Sequence, residues 1–547
     1  MTLPKALPTH QFDPFIRNDA NRIVPLYLLV IVLVAICASL ALPDGFAGWD
    51  DLHYVQAAER WLAEGVNVPA NHWATRLPYV FTIAASLRIF GLSNLALTVP
   101  STVLFAVMLW LIWHIGRRAF GPGTAFCSAL VAAATPLFFR MPTSYYPEVM
   151  EIVCAASATL LTMIAVVPIF ASQAFVADPG TPISQSHDRR RVVLLLVAGL
   201  LGGCGILVRQ TALTVPLSLS LLIFLSDRAR PRRAVGSILL LAAGYAVPVV
   251  AEALFYLATT GNPFERLRID SRHVLIPSSH MRGGTFTGGS PLFNWTLASR
   301  WDVPSVIQVH WTINPLLRVF TSPGLLLVPW LCVAGGVMAI RSGGIARTYA
   351  IFAGFGFIAQ YLLNTFVLVI APDTRYLTVG VALAIPLAGL LLSRLSRIAL
   401  TLVAGLLLVA PCLLTMSVAP APAHLMPALT QYLSRGEPVH LSPGLMNAAT
   451  ILFANHPELA RHALPLDQAN TPVGDLAAVD PYGWDEHSID RRCTDGRAAW
   501  QTIESIPSPS IPWSILHALG LARLLPASVG AHLIREQDRL GLARRVC

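Results

Sequence analysis

Residues 23–42 read IVPLYLLVIVLVAICASLAL, and residues 43–54 directly after them read PDGFAGWDDLHY. The first stretch carries no charge and matches the roughly 17–25 residues with which an α-helix crosses a bilayer. It lacks a small-residue cleavage site, so it reads as a span and not as a cleaved leader. The second stretch puts two adjacent carboxylates, Asp50 and Asp51, where that span meets water. Beyond them Tyr54, Ala57, Ala58, Trp61 and Leu62 recur at helical spacing. This spacing predicts an amphipathic helix on the membrane surface with the acidic pair at its N-terminus. Helix capping alone accounts for an Asp there. Two adjacent acids just past a span also suit catalysis, and both readings stand.

Outward from this segment the apolar pattern repeats. Of 547 residues, 55% are hydrophobic and 12% charged, with a mean hydropathy of +0.61. Soluble domains carry about 25% charged residues, so the bilayer is the expected solvent. The net charge of +9 does not point to nucleic acid. The basic residues cluster between apolar runs, as the positive-inside rule requires. Arginine stands at almost every basic position, with Lys5 the one lysine; that bias fits a GC-rich bacterial source and an inner (plasma) membrane.

Charge parity sets the topology. Lys5, Arg17 and Arg22 place residues 1–22 inside as a cytoplasmic tail, and span 23–42 delivers residues 43–77 outside. Arg117–Arg118 must return inside, which one crossing achieves: residues 78–91 form an interfacial helix and 96–115 a span. Spans 123–141 and 148–170 follow, and Arg189–Arg191 are inside. The stretch 192–226 crosses twice, with Arg209 at the outer turn and Arg230, Arg232 and Arg233 inside. Spans 235–257, 323–340, 348–370, 376–393 and 398–417 complete about eleven transmembrane helices. Each intervening basic cluster obeys one parity. The expected fold is an all-α polytopic membrane protein with interfacial helices in its first outer loop. The membrane domain runs over 23–417.

After Pro420 the chain becomes Pro-rich and polar. Residues 418–547 are expected to form a small extracytoplasmic α/β domain, with 439–442 a strand and 446–454 a helix. The run 511–526 is short and Pro-flanked and does not span. Cys37, Cys127, Cys154, Cys204, Cys332 and Cys412 lie in apolar runs as small core residues. Cys493 and Cys547 lie in the polar region. Outside the cytosol they suit a disulfide; two free thiols are the alternative.

Several short motifs recur in one order. Asp50-Asp51-Leu52-His53-Tyr54 heads the first outer loop, and Arg76-Leu77-Pro78-Tyr79 closes it. Phe90-Gly91-Leu92-Ser93 and Arg117–Gly121 form turns. Tyr145-Tyr146-Pro147-Glu148 makes the second outer loop, and Asp373-Thr374-Arg375-Tyr376-Leu377 starts a late helix. Together they resemble the GT-C superfamily of membrane glycosyltransferases that use polyprenyl-phosphate sugars, nearest the protein mannosyltransferase and aminoarabinose-transferase-like branch. The resemblance spans about residues 20–395. It departs at Glu148, where the family more often has Asp.

The resemblance implies transfer of a sugar from a polyprenyl-phosphate donor to an extracytoplasmic acceptor (an envelope glycan, a lipid or a protein) by inverting displacement. Asp50 would be the base, with Asp51 and Glu148 orienting substrate. Asp51 or Glu148, with Asp50, would help hold a divalent cation, Mg2+ or Mn2+, where one is used. The residue types fit. A carboxylate accepts the acceptor proton, and the phosphate leaving group needs positive charge. Arg209 and Arg375, both at outer helix ends, offer bidentate phosphate contacts. For Arg209 the alternative is snorkelling to headgroups; for Arg375 it is an ion pair with Asp373. Tyr376, Arg76, His53 and His72 are further donor-phosphate or substrate candidates, against plain interfacial anchoring. His273, His280 and His310 make no metal motif. Gly-rich residues 282–289 follow no strand and are not a nucleotide loop; they are a flexible loop or a cover over substrate. A transporter or flippase is the main rival, and it would place its charges at mid-membrane on repeated broken helices. The charges here gather at one face and no repeat is evident. An assembly subunit, the third reading, would have no need of the acidic pair.

Overall fold

The structure is a computed structural model. It describes residues 14–41, 45, 46, 48, 50–166, 183–274, 313–322, 324–368, 374–417, 422–466, 471–479, 493, 499–507 and 539–547. The expected tail before residue 14, Asp44, Asp373, His280, His310, residues 282–289 and the run 511–526 lie outside them. His273 falls in helix Glu265–Val274.

Six helices among the described residues are long and apolar enough to cross a membrane: Asn94–Phe120, Glu148–Val166, Asp188–Val208, Pro231–Thr260, Gly344–Val367 and Thr374–Leu392. Five shorter apolar helices fall on the other expected spans: Leu26–Leu40, Pro122–Ala134, Gln210–Ser226, Val328–Ser342 and Ile398–Leu407. Helix Leu77–Phe90 occupies the segment expected to lie at the interface. The helices bury small and apolar side chains among themselves and present large apolar ones outward. On helix Arg397–Ser417, Ile398, Leu402 and Leu406 are 77%, 69% and 68% exposed. A stripe of that size facing out suits lipid and not water.

Two of the sequence motifs turn out to be helix punctuation. Gly91 (φ 67°) ends helix Leu77–Phe90, and the Ser93 hydroxyl accepts from the Ala96 amide to cap Asn94–Phe120. Gly121 (φ 100°) ends that helix and starts Pro122–Ala134. Glycine adopts these positive φ angles without Cβ strain.

Elsewhere glycine permits close helix contact. A Cβ on Gly199 would lie 2.1 Å from the Leu241 carbonyl oxygen, and one on Gly244 2.1 Å from that of Leu196. Backbones of helices Ile183–Val208 and Pro231–Thr260 therefore touch, as small residues allow in membranes.

The C-terminal part carries a five-stranded sheet in the order β2-β1-β3-β5-β4. Its strands are β1 Val439–Leu441, β2 Ala463–Pro465, β3 Leu476–Val479, β4 Trp500–Pro507 and β5 Arg539–Arg545. β1 runs parallel to β2 and β3, and β5 pairs antiparallel with β3 and β4. Short helices Pro443–Ala448 and Thr450–Asn455 follow β1. Leu425, Leu429, Leu433 and Tyr432 of helix Pro422–Leu433 pack on Val439, Leu441 and Leu542 of the sheet. Cys493 and Cys547 form a disulfide.

Candidate functional site

Helix Asp50–Glu64 begins on the acidic pair. Its buried face is Asp51, Leu52, Tyr54, Val55, Ala57 and Ala58. Leu62, expected on that face, is exposed. The stripe packs on helix Leu77–Phe90 through Tyr79, Val80, Ile83 and Ala84. The two helices thus form a layer that fixes the acids, and the two acids separate. Asp51 turns into the protein and accepts the Leu52 amide at 3.0 Å. Asp50 stays partly open and faces Arg375, whose Nη1 lies 3.4 Å from its Oδ2. Arg375 is thus bound across the fold to Asp50; Asp373, the alternative partner weighed from sequence, lies outside the described residues.

Tyr376 joins the arginines. Arg375 Nη2 donates to its hydroxyl at 3.1 Å, and the Arg375 guanidinium lies 5.1 Å from its ring centre. The Arg209 guanidinium lies over the same ring at 4.8 Å. Such cation–π contacts hold a desolvated arginine in place. Tyr376 is itself anchored by Asn364, which donates to its carbonyl at 2.6 Å from the π-helical turn Leu363–Val367. Such turns tend to occur at functional sites.

Arg209 does not snorkel to the surface. It is buried in the break between helices Ile183–Val208 and Gln210–Leu213, ion-paired to Glu148 and lying 3.7 Å from Glu151. Glu148 and Glu151 stand one turn apart on helix Glu148–Val166. Thr211 donates to Glu151. Glu151 was missed from sequence, though an acid inside an apolar run is a signal in itself. The Glu148 Oε2 atom is buried without a hydrogen bond among the described residues. The approach to Glu148 is strained: Tyr145 adopts φ 43°, and its hydroxyl is 2.9 Å from that of Thr98. A non-glycine residue there costs of order 1–3 kcal/mol and clusters at functional sites.

Arg76 hydrogen-bonds the Tyr54 hydroxyl and lies 5.4 Å from its ring centre. Burial, and then the Arg209 charge, lower its pKa to about 10, against the opposing pull of Glu148 and Asp50. Arg76 therefore shares one electrostatic neighbourhood with Arg209, Glu148 and Asp50. Burial likewise pushes the Tyr146 hydroxyl up, and Asp51, Asp50 and Glu148 add to this while Arg375 opposes it. His53 stacks on Trp73 and His72 meets the same ring at a tilt, at 4.1 and 3.7 Å between ring centres.

The sequence offered Asp50 and Glu148 as residues that help hold a divalent cation. Among the described residues no three of His, Cys, Asp and Glu converge on a point where a metal could bind. Asp50 and Glu148 each face an arginine. As placed, they do not form an all-protein cage for a divalent ion, which takes several oxygen ligands. What the arrangement offers is positive charge beside an accessible carboxylate.

Residues 77–169 match the sequence model of the dolichyl-phosphate-mannose-protein mannosyltransferase family. That segment holds three of the motifs quoted above and carries the family's pattern. The chain is similar to the crystal structure of ArnT from Cupriavidus metallidurans in the apo state. Identity is 13% and the TM-score 0.48, over 96% of this chain and 98% of that one. The ArnT structure bound to undecaprenyl phosphate gives 14% and 0.49, over 95% and 97%. The apo oligosaccharyltransferase of Archaeoglobus fulgidus gives 13% and 0.47, over 81% and 64%. No curated protein matches significantly.

Proposed function

We propose that this chain is a membrane glycosyltransferase that moves a sugar from a polyprenyl-phosphate donor to an acceptor on the extracytoplasmic side. The observation that carries the reading is one chain of contacts: Asp50–Arg375–Tyr376–Arg209–Glu148, with Arg76 beside it. These residues come from five separate parts of the sequence. The motif order and the family match over residues 77–169 support the same reading.

The acceptor hydroxyl gives its proton to the Asp50 carboxylate. Its oxygen attacks the anomeric carbon from the face opposite the phosphate, and the bond from that carbon to the phosphate oxygen breaks. The polyprenyl phosphate leaves with the bonding electron pair and gains one negative charge. Arg375 and Arg76 stabilise that charge as it develops. Arg375 also links the two events. Its pairing with Asp50 is open at 3.4 Å and partly exposed, so an incoming phosphate draws on the guanidinium and releases the carboxylate to act as base. Arg209 is held between two glutamates and contributes field through Tyr376.

Orientation follows from charge parity: the site and the C-terminal domain lie outside the cytoplasm, in a bacterial inner membrane. Substituting Asp50→Asn preserves shape and removes the base. The expected result is loss of sugar transfer by at least a hundredfold, with unchanged membrane insertion and undiminished affinity for undecaprenyl phosphate. Transfer at the wild-type rate in this variant would overturn the assignment.

A further inference from the structure

We infer that Asp270 is a positioning residue that holds the segment bearing Arg76 in register with the turn bearing Arg209, so that Arg76 is placed for the donor phosphate. The inference rests on the donor reading above. Neither Asp270 nor the helix that bears it, Glu265–Val274, belongs to the motifs read from the sequence.

One carboxylate grips two distant segments. Asp270 Oδ1 accepts from the Thr75 hydroxyl at 3.0 Å, and Oδ2 accepts from the Gln210 side-chain amide at 2.5 Å. Thr75 immediately precedes Arg76, and Gln210 immediately follows Arg209. Asp270 thus ties down the side chain next to each arginine. Thr75 is buried, and the Asp270 side chain is 13% exposed, so water competes weakly for these bonds.

The carboxylate is fixed in turn. Arg266, one helical turn earlier, lies with its Nε 3.4 Å from Asp270 Oδ2. Its Nη1 donates to both oxygens of Glu252, at 3.0 and 3.1 Å. Its Nη2 donates to the Ile206 carbonyl at 2.9 Å, at the end of the helix that leads into Arg209. Glu252 belongs to helix Pro231–Thr260. A buried acid on an apolar helix and a buried arginine are costly unless paired. This network pairs them and directs the pairing at the turn that carries Arg209.

Arg76 meets the donor phosphate beside the buried Arg209 set, so the spacing of the two segments decides where its guanidinium lies. Segments kept at fixed spacing meet a phosphate without reorganising, which is how preorganisation increases affinity. The Asp270 straps supply the fixed spacing.

The test uses the full chain in detergent micelles with two probes, undecaprenyl phosphate and the uncharged undecaprenol, each titrated by native mass spectrometry on the folded protein. Wild type is expected to bind the phosphate at least a hundredfold more tightly than the prenol. Asp270→Ala is expected to cut that ratio about tenfold, through weaker phosphate binding at unchanged prenol binding. Asp270→Asn keeps an acceptor for Thr75 and is expected to fall between; it also serves if Asp270→Ala fails to fold. A purely structural role would lower the folded fraction and leave the ratio intact. A wild-type ratio retained in Asp270→Asn and in any folded Asp270→Ala overturns this inference while the donor reading stands. A wild type that does not discriminate the two probes overturns the donor reading itself, and this inference with it.

Discussion

Arg209 and Arg375 carry the same charge over the same Tyr376 ring, and they differ in what else they hold. Arg209 is buried between Glu148 and Glu151. Removing it leaves two acids in a low-dielectric interior, and breaking such a buried set costs about 3–5 kcal/mol. Arg375 is about one-third exposed and pairs loosely with Asp50, a kind of pair worth about 0–1 kcal/mol. Arg209→Ala should therefore lower the thermal unfolding midpoint in detergent clearly, and Glu148→Gln with Glu151→Gln should restore part of it. Arg375→Ala should leave that midpoint nearly unchanged and weaken undecaprenyl phosphate binding about tenfold or more. Equal midpoints for the two alanine variants would show that the glutamates do not depend on Arg209. The acids face arginines and not one another, so EDTA should leave sugar transfer within about twofold of its untreated rate. Full loss on chelation, restored by Mg2+ or Mn2+, would reverse that conclusion.

At the scale of elements, the sharpest dependence is where helices Ile183–Val208 and Pro231–Thr260 touch through glycine. A β-branched side chain at Gly199 or Gly244 would drive its Cβ into a backbone carbonyl 2.1 Å away, and backbone cannot step aside as a rotamer can. Gly236, on the second of these helices, has nothing within 4 Å of its Cβ position. Gly199→Val and Gly244→Val should lose most of the monodisperse protein on size exclusion, and Gly236→Val should keep it. A normal elution profile for all three would mean the helices sit further apart than described. Elements were the most legible level of the sequence. Apolar runs and basic clusters are local signals, and so are the Gly91, Ser93 and Gly121 helix ends. The site was legible in its parts but not in its pairings. Asp50 and Arg375 are 325 residues apart, and only the folded chain brings them together. Glu151 and Glu252 were readable as acids within apolar runs. Asp270 was not, because it lies in a stretch whose composition is that of an ordinary polar loop. The β4–β5 pairing gave no local sign either, since its two strands are far apart in sequence and neither shows regular alternation.

Over the whole molecule, the C-terminal domain meets the membrane domain directly beside the acidic pair. A Cβ on Gly48 would lie 2.4 Å from the Ala448 amide nitrogen and 2.5 Å from the Asn447 carbonyl carbon. Gly48 also has φ 72°, so no other residue fits this junction two positions before Asp50. A cavity of about 230 Å³ opens alongside, lined by Phe46, Asn94, Ile451 and His456 among others. The domain's own integrity bears on which side of the membrane this junction occupies. Cys493 and Cys547 close a loop over a separation of 54 residues, and loop-closure entropy puts such a cross-link at about 4 kcal/mol. A bond of this kind persists in an oxidising compartment and is reduced in the bacterial cytosol. The disulfide and the charge parity therefore make one joint prediction. On intact spheroplasts, a membrane-impermeant maleimide should label these two cysteines only after external reductant is added, with a Cys493→Ser, Cys547→Ser double variant giving the background. Reduction should also lower the unfolding midpoint of the purified protein, and should not do so in the double variant. Labelling that requires lysis but no reductant would place the domain in the cytosol. It would invert the topology and carry Asp50 and Arg375 to the cytoplasmic face with it.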